Sequence, residues 1–219
     1  MPSIYVRPAS TTADDGLRLL RIYDSQLPWL SSIGSSGQWG ISPKSDQEDQ
    51  RAKYRSKIEI SERCWNDPWS RDWIRAYIAE IEVKRGDLSS ELLEIVSEST
   101  GDVVRLPVAG MVLQAQSFAY VRDIVPENDD NDPFMYFSYL LRDRATAIHG
   151  RGAGAALISH AKDEASKLGI RRLCVDCWSG NDQRLIHYYE QQGFRVIGHF
   201  EIEAEGKDNW PGAVLEMRL

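Results

Sequence analysis

The pattern of residues 150–219 constrains the fold more than any other part of the chain. Apolar side chains recur at helical spacing over residues 152–168, and Gly169 follows at the position of a helix C-cap. Strand and helix patterns then alternate: a strand over 172–177, a helix over 182–192, and strands over 194–200 and 213–219. A segment with this order predicts helices packed on a β-sheet.

The first part of the chain adds further strands and helices. Helical stripes are predicted near residues 14–27 and 46–65, and strands over 4–6, 74–83, 108–116 and 135–141. Residues 84–106 are polar and weakly patterned, which favours an extended hairpin or an insertion. The expected fold is α/β (α+β), with a mixed, mostly antiparallel central sheet of about seven strands and helices on both faces.

Length and charge limit the classes of protein to which the chain can belong. With 219 residues, 42% of them hydrophobic, it is expected to form a single domain, 1–219. Its net charge of −7 argues against nucleic acid or an anionic membrane as a general partner, because both need a basic face. No apolar run reaches the roughly 18 residues of a membrane span, and residues 1–7 lack the order of a signal peptide. A cytoplasmic location is therefore expected.

Cys174 and Cys177 form a C-x-x-C pair, a spacing that redox and zinc sites use. Both fall within a predicted strand, where residues three apart point to opposite faces. No second Cys/His pair has zinc-ligand spacing. Two ordinary buried thiols are therefore expected.

A glycine-rich turn, H-G-R-G-A-G-A-A-L, joins a predicted strand to a predicted helix at residues 149–157. Glycines let a ligand approach the backbone, and the free N–H groups of a helix's first turn attract phosphate. The turn is not a Walker loop, because no G-K-S/T follows, and it lacks the third glycine of a dinucleotide fingerprint. Taken alone, it fits a phosphate site and a ligand-free tight turn equally well.

A second motif, Y-Y-E-x-x-G-F, occupies residues 188–194. The pairing of G-R-G-A-G-A-A-L with this motif resembles the GNAT superfamily of N-acetyltransferases, and the resemblance covers residues 135–219. It implies a GNAT fold in which residues 1–134 form the acceptor-side half and residues 135–219 the acetyl-CoA-binding half. Acetyl-CoA is the implied cosubstrate, and no metal is implied.

The resemblance assigns coenzyme contacts by position. Leu140 and Leu141 would bind the pantetheine and the acetyl carbonyl through their backbone. His149 stands where the family has Gln or Arg, and Asp182 stands where it often has an Asn that contacts pantetheine, with Asn181 as an equal candidate. The pyrophosphate motif falls on Gly150, Arg151, Gly152, Ala153, Gly154 and Ala155.

The resemblance also implies a general acid. Tyr189 matches the tyrosine that protonates the departing thiolate, and a phenol of pKa about 10 suits a thiol of pKa about 8.5. Its neighbour Tyr188 is interpreted as a packing residue.

The general base is less well defined. Asp176, an acid in an otherwise apolar strand, is the candidate, and a structural acid hydrogen-bonded at a helix start is an equal alternative. His187 and His199 are expected to be structural. Nothing in the sequence resembles a metal site or a Ser/His/Asp triad.

The acceptor pocket of the family implicates the first half of the chain. Trp29 and Trp39 are predicted to bind substrate, with Trp65 and Trp69 beside them and the acidic loop 123–132 as a rim. Core packing is the favoured interpretation for at least half of the four tryptophans. The acidic run is interpreted first as a surface loop, and a site for a cationic ligand is its alternative.

The expected activity is direct transfer of acetyl from acetyl-CoA to a primary amine of a small molecule. Two alternatives stay open: a peptide or protein N-terminus as the acceptor, and a non-catalytic acyl-CoA-binding module with a GNAT fold. The expected partner is a small-molecule amine, with no nucleic acid and no membrane. A homodimer is an open alternative to a monomer.

Overall fold

The computed structural model describes residues 3–180, 182–202 and 209–219, in which the strands form one mixed sheet. The strands are β1 (Ile4–Pro8), β2 (Ile74–Lys84), β3 (Glu98–Thr100), β4 (Val103–Gln114), β5 (Phe134–Arg142), β6 (Arg172–Trp178), β7 (Arg195–Ile202) and β8 (Trp210–Arg218). Their order is β1-β2-β4-β5-β6-β8-β7, and the short β3 pairs with β4. Within the described ranges only β5 and β6 pair in parallel. The predicted mixed, mostly antiparallel sheet of about seven strands is confirmed.

Helices cover both faces of this sheet. They are α1 (Asp15–Asp24), α2 (Leu27–Ser32), α3 (Glu48–Arg63), α4 (Ser90–Leu93), α5 (Ala153–Lys167) and α6 (Arg184–Gln191). Met111 of β4 belongs to a buried cluster with Leu157 of α5 and Ile186 of α6. The next residue, Val112, belongs to a cluster with Ile22 of α1. Because successive side chains of a strand point to opposite faces, α1 lies across the sheet from α5 and α6.

The most regular of the predicted helices is α5. Its fully buried residues Leu157, Ala161 and Ala165 recur every fourth position, so one face of the helix packs on the sheet. The helix ends before Gly169, and the N–H of Ile170 donates to the carbonyl of Ala165 at 2.8 Å. No helix within the described ranges is long and apolar enough to cross a membrane.

Two boundaries differ from the sequence prediction. The stripe over residues 14–27 is two helices, because side-chain groups of Ser25 and Gln26 both donate to the carbonyl of Ile22 and end α1 there. The strand expected over residues 108–116 is longer, Val103–Gln114. Its residues 103–105 pair with β3, so this end of the segment 84–106 forms a hairpin, one of the two alternatives expected there.

The two cysteines of the C-x-x-C pair lie on opposite faces of β6. Cys174 is buried in a cluster with Phe134 and Tyr136, whereas Cys177 is buried in the cluster beneath α5 and α6. Both are free thiols. The prediction of two separate buried thiols is confirmed.

The parallel strands β5 and β6 separate halfway along their length, and this separation positions the site. Pairing between them stops after Phe137 and Val175. At the same point β5 carries a bulge, in which Ser138 has no partner between the pairs that Phe137 and Tyr139 form with β4. A bulge bends its strand, so the second half of β5 diverges from β6 and opens a cleft in the sheet.

Candidate functional site

A cavity of about 410 Å³ lies where β5 and β6 separate. Its lining includes residues 137–141 of β5 and residues 175–178 of β6, together with residues of α1, α2, α3 and α6. Six residues predicted from the sequence meet in this lining: Leu140, Leu141, Asp176, Tyr189, Trp29 and Trp39. The predicted catalytic and acceptor residues therefore share one cavity with the predicted pantetheine strand.

The glycine-rich turn forms the N-terminus of α5, outside the cavity lining. Gly152 is the N-cap residue and has the left-handed conformation (φ 82°), which favours glycine because a Cβ is strained there. No side chain caps the helix, so the N–H groups of Ala153, Gly154 and Ala155 have no partner within it. Free N–H groups and the positive end of the helix dipole together attract an anion.

Tyr188 lies at the same turn. A Cβ added to Gly154 would lie 2.6 Å from the Tyr188 hydroxyl oxygen, so this glycine leaves room for the phenol. The Tyr188 ring packs edge-on against Tyr189, with 5.4 Å between ring centroids, and burial raises its pKa. The interpretation of Tyr188 as a packing residue is incomplete, because its hydroxyl borders the first turn of α5.

The other predicted coenzyme residues flank this region. His149 is half-buried in a short 3-10 turn, Ala147–Gly150, and Arg151 is exposed. Asp182 is exposed, with a left-handed backbone (φ 55°), just before α6. Asn181, the equal candidate for the pantetheine contact, lies outside the described residues.

Tyr189 is the buried phenol of the cavity. It lies on α6, is 6% exposed, and packs edge-on against Phe194 at 5.5 Å between centroids. Burial, with a smaller contribution from Cys177, raises its pKa well above 10. The phenol therefore stays protonated at neutral pH, as a proton donor must. The raised pKa makes it a weaker acid, but the same burial would raise the pKa of a thiol beside it and preserve the driving force for proton transfer.

Asp176 is held by two phenols. The Tyr120 hydroxyl donates to its Oδ2 at 3.1 Å, and the Tyr136 hydroxyl donates to its Oδ1. Burial raises the pKa of Asp176, and the two hydrogen bonds oppose that shift. Asp176 lies within β6 and not at a helix start, so the structural alternative takes a different form: a carboxylate that satisfies two hydroxyls. Its place in the cavity lining fits the role of a base.

Sequence reasoning missed both tyrosines. Tyr136 pairs with Cys174 on the neighbouring strand, two residues before Asp176, so the strand register could have indicated a shared face. Tyr120 lies in a short 3-10 turn after β4, and no local pattern predicts that it reaches β6. It continues an aromatic wall whose successive rings have centroids 5.4 to 5.6 Å apart: Phe118, Tyr120, Phe200, Trp210 and Trp178.

Trp29 and Trp39 line the cavity, as the acceptor prediction requires. The guanidinium carbon of Arg144 lies 3.4 Å from the centroid of the Trp29 ring. Trp39 stacks on Tyr23, with 4.4 Å between centroids and 18° between planes. Both indoles therefore have partners in the protein and still border the cavity.

Two other parts of the chain considered for the acceptor pocket lie elsewhere, and there the structure agrees with the other interpretations, core packing and a surface loop. Trp65 and Trp69 pack against the core cluster on the α5 face and are not among the described residues that line the cavity. The acidic loop 123–132 is also outside that lining. Its Asp132 pairs with Arg172 and Arg218 at the start of β6, the opposite end of the strand from the cleft.

The described histidines lie away from the cavity lining. His187 and His199 are exposed, and His160 packs edge-on against Tyr77 at 4.6 Å between centroids. Within the described ranges, no group of three or more His, Cys, Asp and Glu side chains is placed to hold a metal ion.

Comparison with known proteins gives one family and many structures. Residues 144–194 match the acetyltransferase (GNAT) family model. No curated protein matches the sequence. Similar structures include an N-acetyltransferase from Staphylococcus aureus Mu50 (15% identity over 99% of this chain and 98% of that chain, TM-score 0.57) and NAA60 from Arabidopsis thaliana in complex with a bisubstrate analogue (15%, 99% and 98%, 0.59). The PaiA N-acetyltransferase from Thermoplasma acidophilum in complex with coenzyme A is a third (15%, 99% and 99%, 0.51).

At these identities the structures establish the fold alone. The mixed sheet, in which the pairing of β5 with β6 stops halfway, has the fold of the GNAT acetyltransferases. The family match spans the glycine-rich turn, α5, β6 and α6. The resemblance to the GNAT superfamily drawn from the sequence is therefore confirmed, by the family model over residues 144–194 and by the fold over the described chain.

Proposed function

We propose that this protein transfers the acetyl group of acetyl-CoA to a primary amine of a small molecule by direct attack, without a covalent enzyme intermediate. One observation carries the proposal: the buried phenol of Tyr189 and the carboxylate of Asp176 line the same cavity where β5 leaves β6. Acyl transfer from a thioester needs a proton donor for the leaving sulfur and a proton acceptor for the amine. These two side chains supply one of each.

The first turn of α5 fits the pyrophosphate of acetyl-CoA. No side chain accepts from its three free N–H groups, and the N-cap residue Gly152 has no side chain to cover them. The part of β5 from Ser138 to Leu141 has lost its β6 partner, so backbone groups along that edge are free for the amides of pantetheine. PaiA, with the same fold, is described with coenzyme A, which supports the same choice of ligand.

The reaction needs two proton transfers. As the amine nitrogen bonds to the thioester carbon, Asp176 accepts the proton that the nitrogen loses. As the C–S bond breaks, the Tyr189 hydroxyl donates its proton to the leaving sulfur and yields the free thiol of coenzyme A. Solvent then returns a proton to Tyr189 and takes one from Asp176, which restores both groups.

A compact acceptor is favoured over a polypeptide chain because aromatic side chains form a large share of the cavity lining. Eleven of the twenty-five described residues that line it are aromatic. A panel of arylalkyl amines and of peptides with free N-termini, read by release of coenzyme A thiol, tests the acceptor class. Transfer to peptides alone would replace the small-molecule acceptor, and no transfer to any amine would favour a binding module.

Acetyl-CoA is expected to bind the native protein and raise its melting temperature, because a ligand that binds only the folded state stabilises it. At a concentration 100-fold above its Kd, the gain in the free energy of unfolding is about 2.7 kcal/mol. Thermal unfolding with and without acetyl-CoA, with titration calorimetry, measures this. Absence of both a shift and binding heat would remove the coenzyme assignment.

Gly152→Asp is expected to weaken coenzyme A binding at least about tenfold, because a carboxylate at the positive end of α5 would repel the pyrophosphate. Gly152→Asn is the matched control, since Asn has nearly the same shape, tolerates the left-handed conformation and carries no charge. Calorimetry with coenzyme A compares the two variants. Equal affinities would place the pyrophosphate elsewhere.

A further inference from the structure

Arg144 places a guanidinium group on the wall of the cavity. It stacks on Trp29, with 3.4 Å from the guanidinium carbon to the ring centroid, and both residues line the cavity. A planar guanidinium stacked by its face keeps the N–H groups at its edge available to another group.

Neutral groups hold Arg144 in this position. Its Nε donates to Oε1 of Gln26 at 2.8 Å, and its backbone N–H donates to Oγ of Ser25 at 3.0 Å. Gln26 is 6% exposed, and its amide nitrogen donates to the carbonyls of Ile22 and Arg142. The oxygen of Gln26 is therefore fixed toward Arg144. Within the described residues, the two terminal nitrogens of Arg144 have no hydrogen-bond partner.

No acid balances this charge in the described part of the chain. No Asp or Glu there lies within ion-pair distance of Arg144, and the charged neighbour that affects it is the like-charged Arg142. A half-buried cation without a counter-charge is costly to keep, whereas a bound anion would satisfy it. The geometry is that of a prepared anion site: a stacked, oriented guanidinium whose free edge meets a cavity.

The acceptor is a better source of this anion than the coenzyme phosphates. Arg144 contacts Gln26 and Trp29, which belong to the α1–α2 side of the sheet. The free N–H groups that fit pyrophosphate lie at the start of α5, which packs on the opposite face. One guanidinium also balances a single carboxylate, while a phosphate monoester would leave charge uncompensated.

We propose that the acceptor is an aromatic primary amine that carries a carboxylate, and that Arg144 binds this carboxylate as the specificity-determining residue. The proposal rests on the proposed acetyl transfer for the amine, and on the aromatic lining for the ring. Asp176 is the only acid among the described lining residues, and the cations there are Arg144 and Arg184. Arg184 is 76% exposed and has an acidic partner, Asp182, at 4.0 Å, so Arg144 is the half-buried cation without a counter-charge.

Matched amines test this specificity. Phenethylamine and phenylalanine differ by a carboxylate beside the amine, and benzylamine and 4-(aminomethyl)benzoate differ by a carboxylate across the ring. In at least one pair the acid is expected to have a kcat/KM about tenfold higher or more, since a hydrogen-bonded charge pair contributes that much. The pair that shows the effect reveals where the carboxylate sits.

Three variants assign the effect to Arg144. Arg144→Gln should abolish the preference for the acid, and Arg144→Lys should keep part of it because the charge remains without the forked geometry. Arg71→Gln removes one positive charge from an exposed residue outside the cavity lining, and its preference for the acid over the neutral amine should equal that of the wild type. Thermal unfolding of each variant checks that it is folded.

A binding measurement separates failure of this inference from failure of the proposed function. The wild type should bind 3-phenylpropionate by calorimetry, Arg144→Gln should lose that binding, and both should bind coenzyme A equally. Transfer to neutral and acidic amines alike, with no Arg144 dependence, would overturn the carboxylate site and leave the acetyl transfer standing. If no amine were acetylated but 3-phenylpropionate still bound in a way that depends on Arg144, the acetyl transfer would be overturned and the carboxylate site would stand. If Arg144→Gln lost affinity for coenzyme A and for 3-phenylpropionate to the same extent, Arg144 would be a coenzyme contact and the inference would be overturned.

Discussion

Tyr189→Phe is expected to lower kcat by about 10²–10⁴-fold, the range typical of a lost general acid. The hydroxyl is needed only as the thiolate leaves, so its removal should destabilise the transition state and leave coenzyme binding unchanged. The ring that packs against Phe194 survives the change, so the Kd for coenzyme A should stay within about twofold. Steady-state kinetics with the best amine, beside calorimetry with coenzyme A, measure both quantities.

Tyr188→Phe is the matched control, because it removes a hydroxyl from the adjacent position of the same helix. Its hydroxyl borders Gly154 at the first turn of α5, so any effect should appear in the affinity for coenzyme A and leave kcat near that of the wild type. Full turnover by Tyr189→Phe would remove the proposed acid. If Tyr189→Phe instead lost coenzyme binding together with turnover, Tyr189 would be a structural residue.

The sequence predicted those parts of the fold in which local pattern and environment agree. The helical spacing over residues 152–168 matches a helix that packs one face on a sheet, and the Y-Y-E-x-x-G-F motif placed Tyr189 on the next helix. Side-chain alternation likewise separated Cys174 from Cys177. Each of these predictions depends only on residues that are close together in the sequence.

The parts that were missed depend on contacts between distant segments. Ser138 looks like any strand residue, and its bulge is defined only by the register against β4. Tyr120 reaches Asp176 across 56 positions of sequence, and Arg144 is oriented by Gln26 across 118. The charge of the acidic loop 123–132 left a rim of the acceptor pocket open as an alternative to a surface loop, but Asp132 pairs with arginines at the far end of β6. Composition showed that acids were present but not which basic residues they pair with.

Asp176→Asn is expected to lower kcat by about 10²–10⁴-fold near neutral pH, because the amide cannot accept the amine proton. The deficit should shrink as the pH approaches the pKa of the amine, since more of the acceptor then arrives already neutral. A carboxylate that served only to satisfy the hydroxyls of Tyr120 and Tyr136 would cause a loss that does not depend on pH. Rate–pH profiles of the wild type and the variant, with one amine at saturation, distinguish the two roles.

The hydroxyl of Tyr136 allows a second, independent measurement on the same carboxylate. Asp176 acts as a base only when ionised, so turnover of the wild type should fall as the pH drops through its pKa, which burial raises above the ordinary value. The hydrogen bond from Tyr136 lowers that pKa, and Tyr136→Phe should therefore move the midpoint of the acid limb to higher pH. The part of the rate–pH profile that is set by the pKa of the amine should not move, because the acceptor is unchanged. An acid limb that keeps the wild-type midpoint in Tyr136→Phe, or that persists in Asp176→Asn, would assign the base to another group.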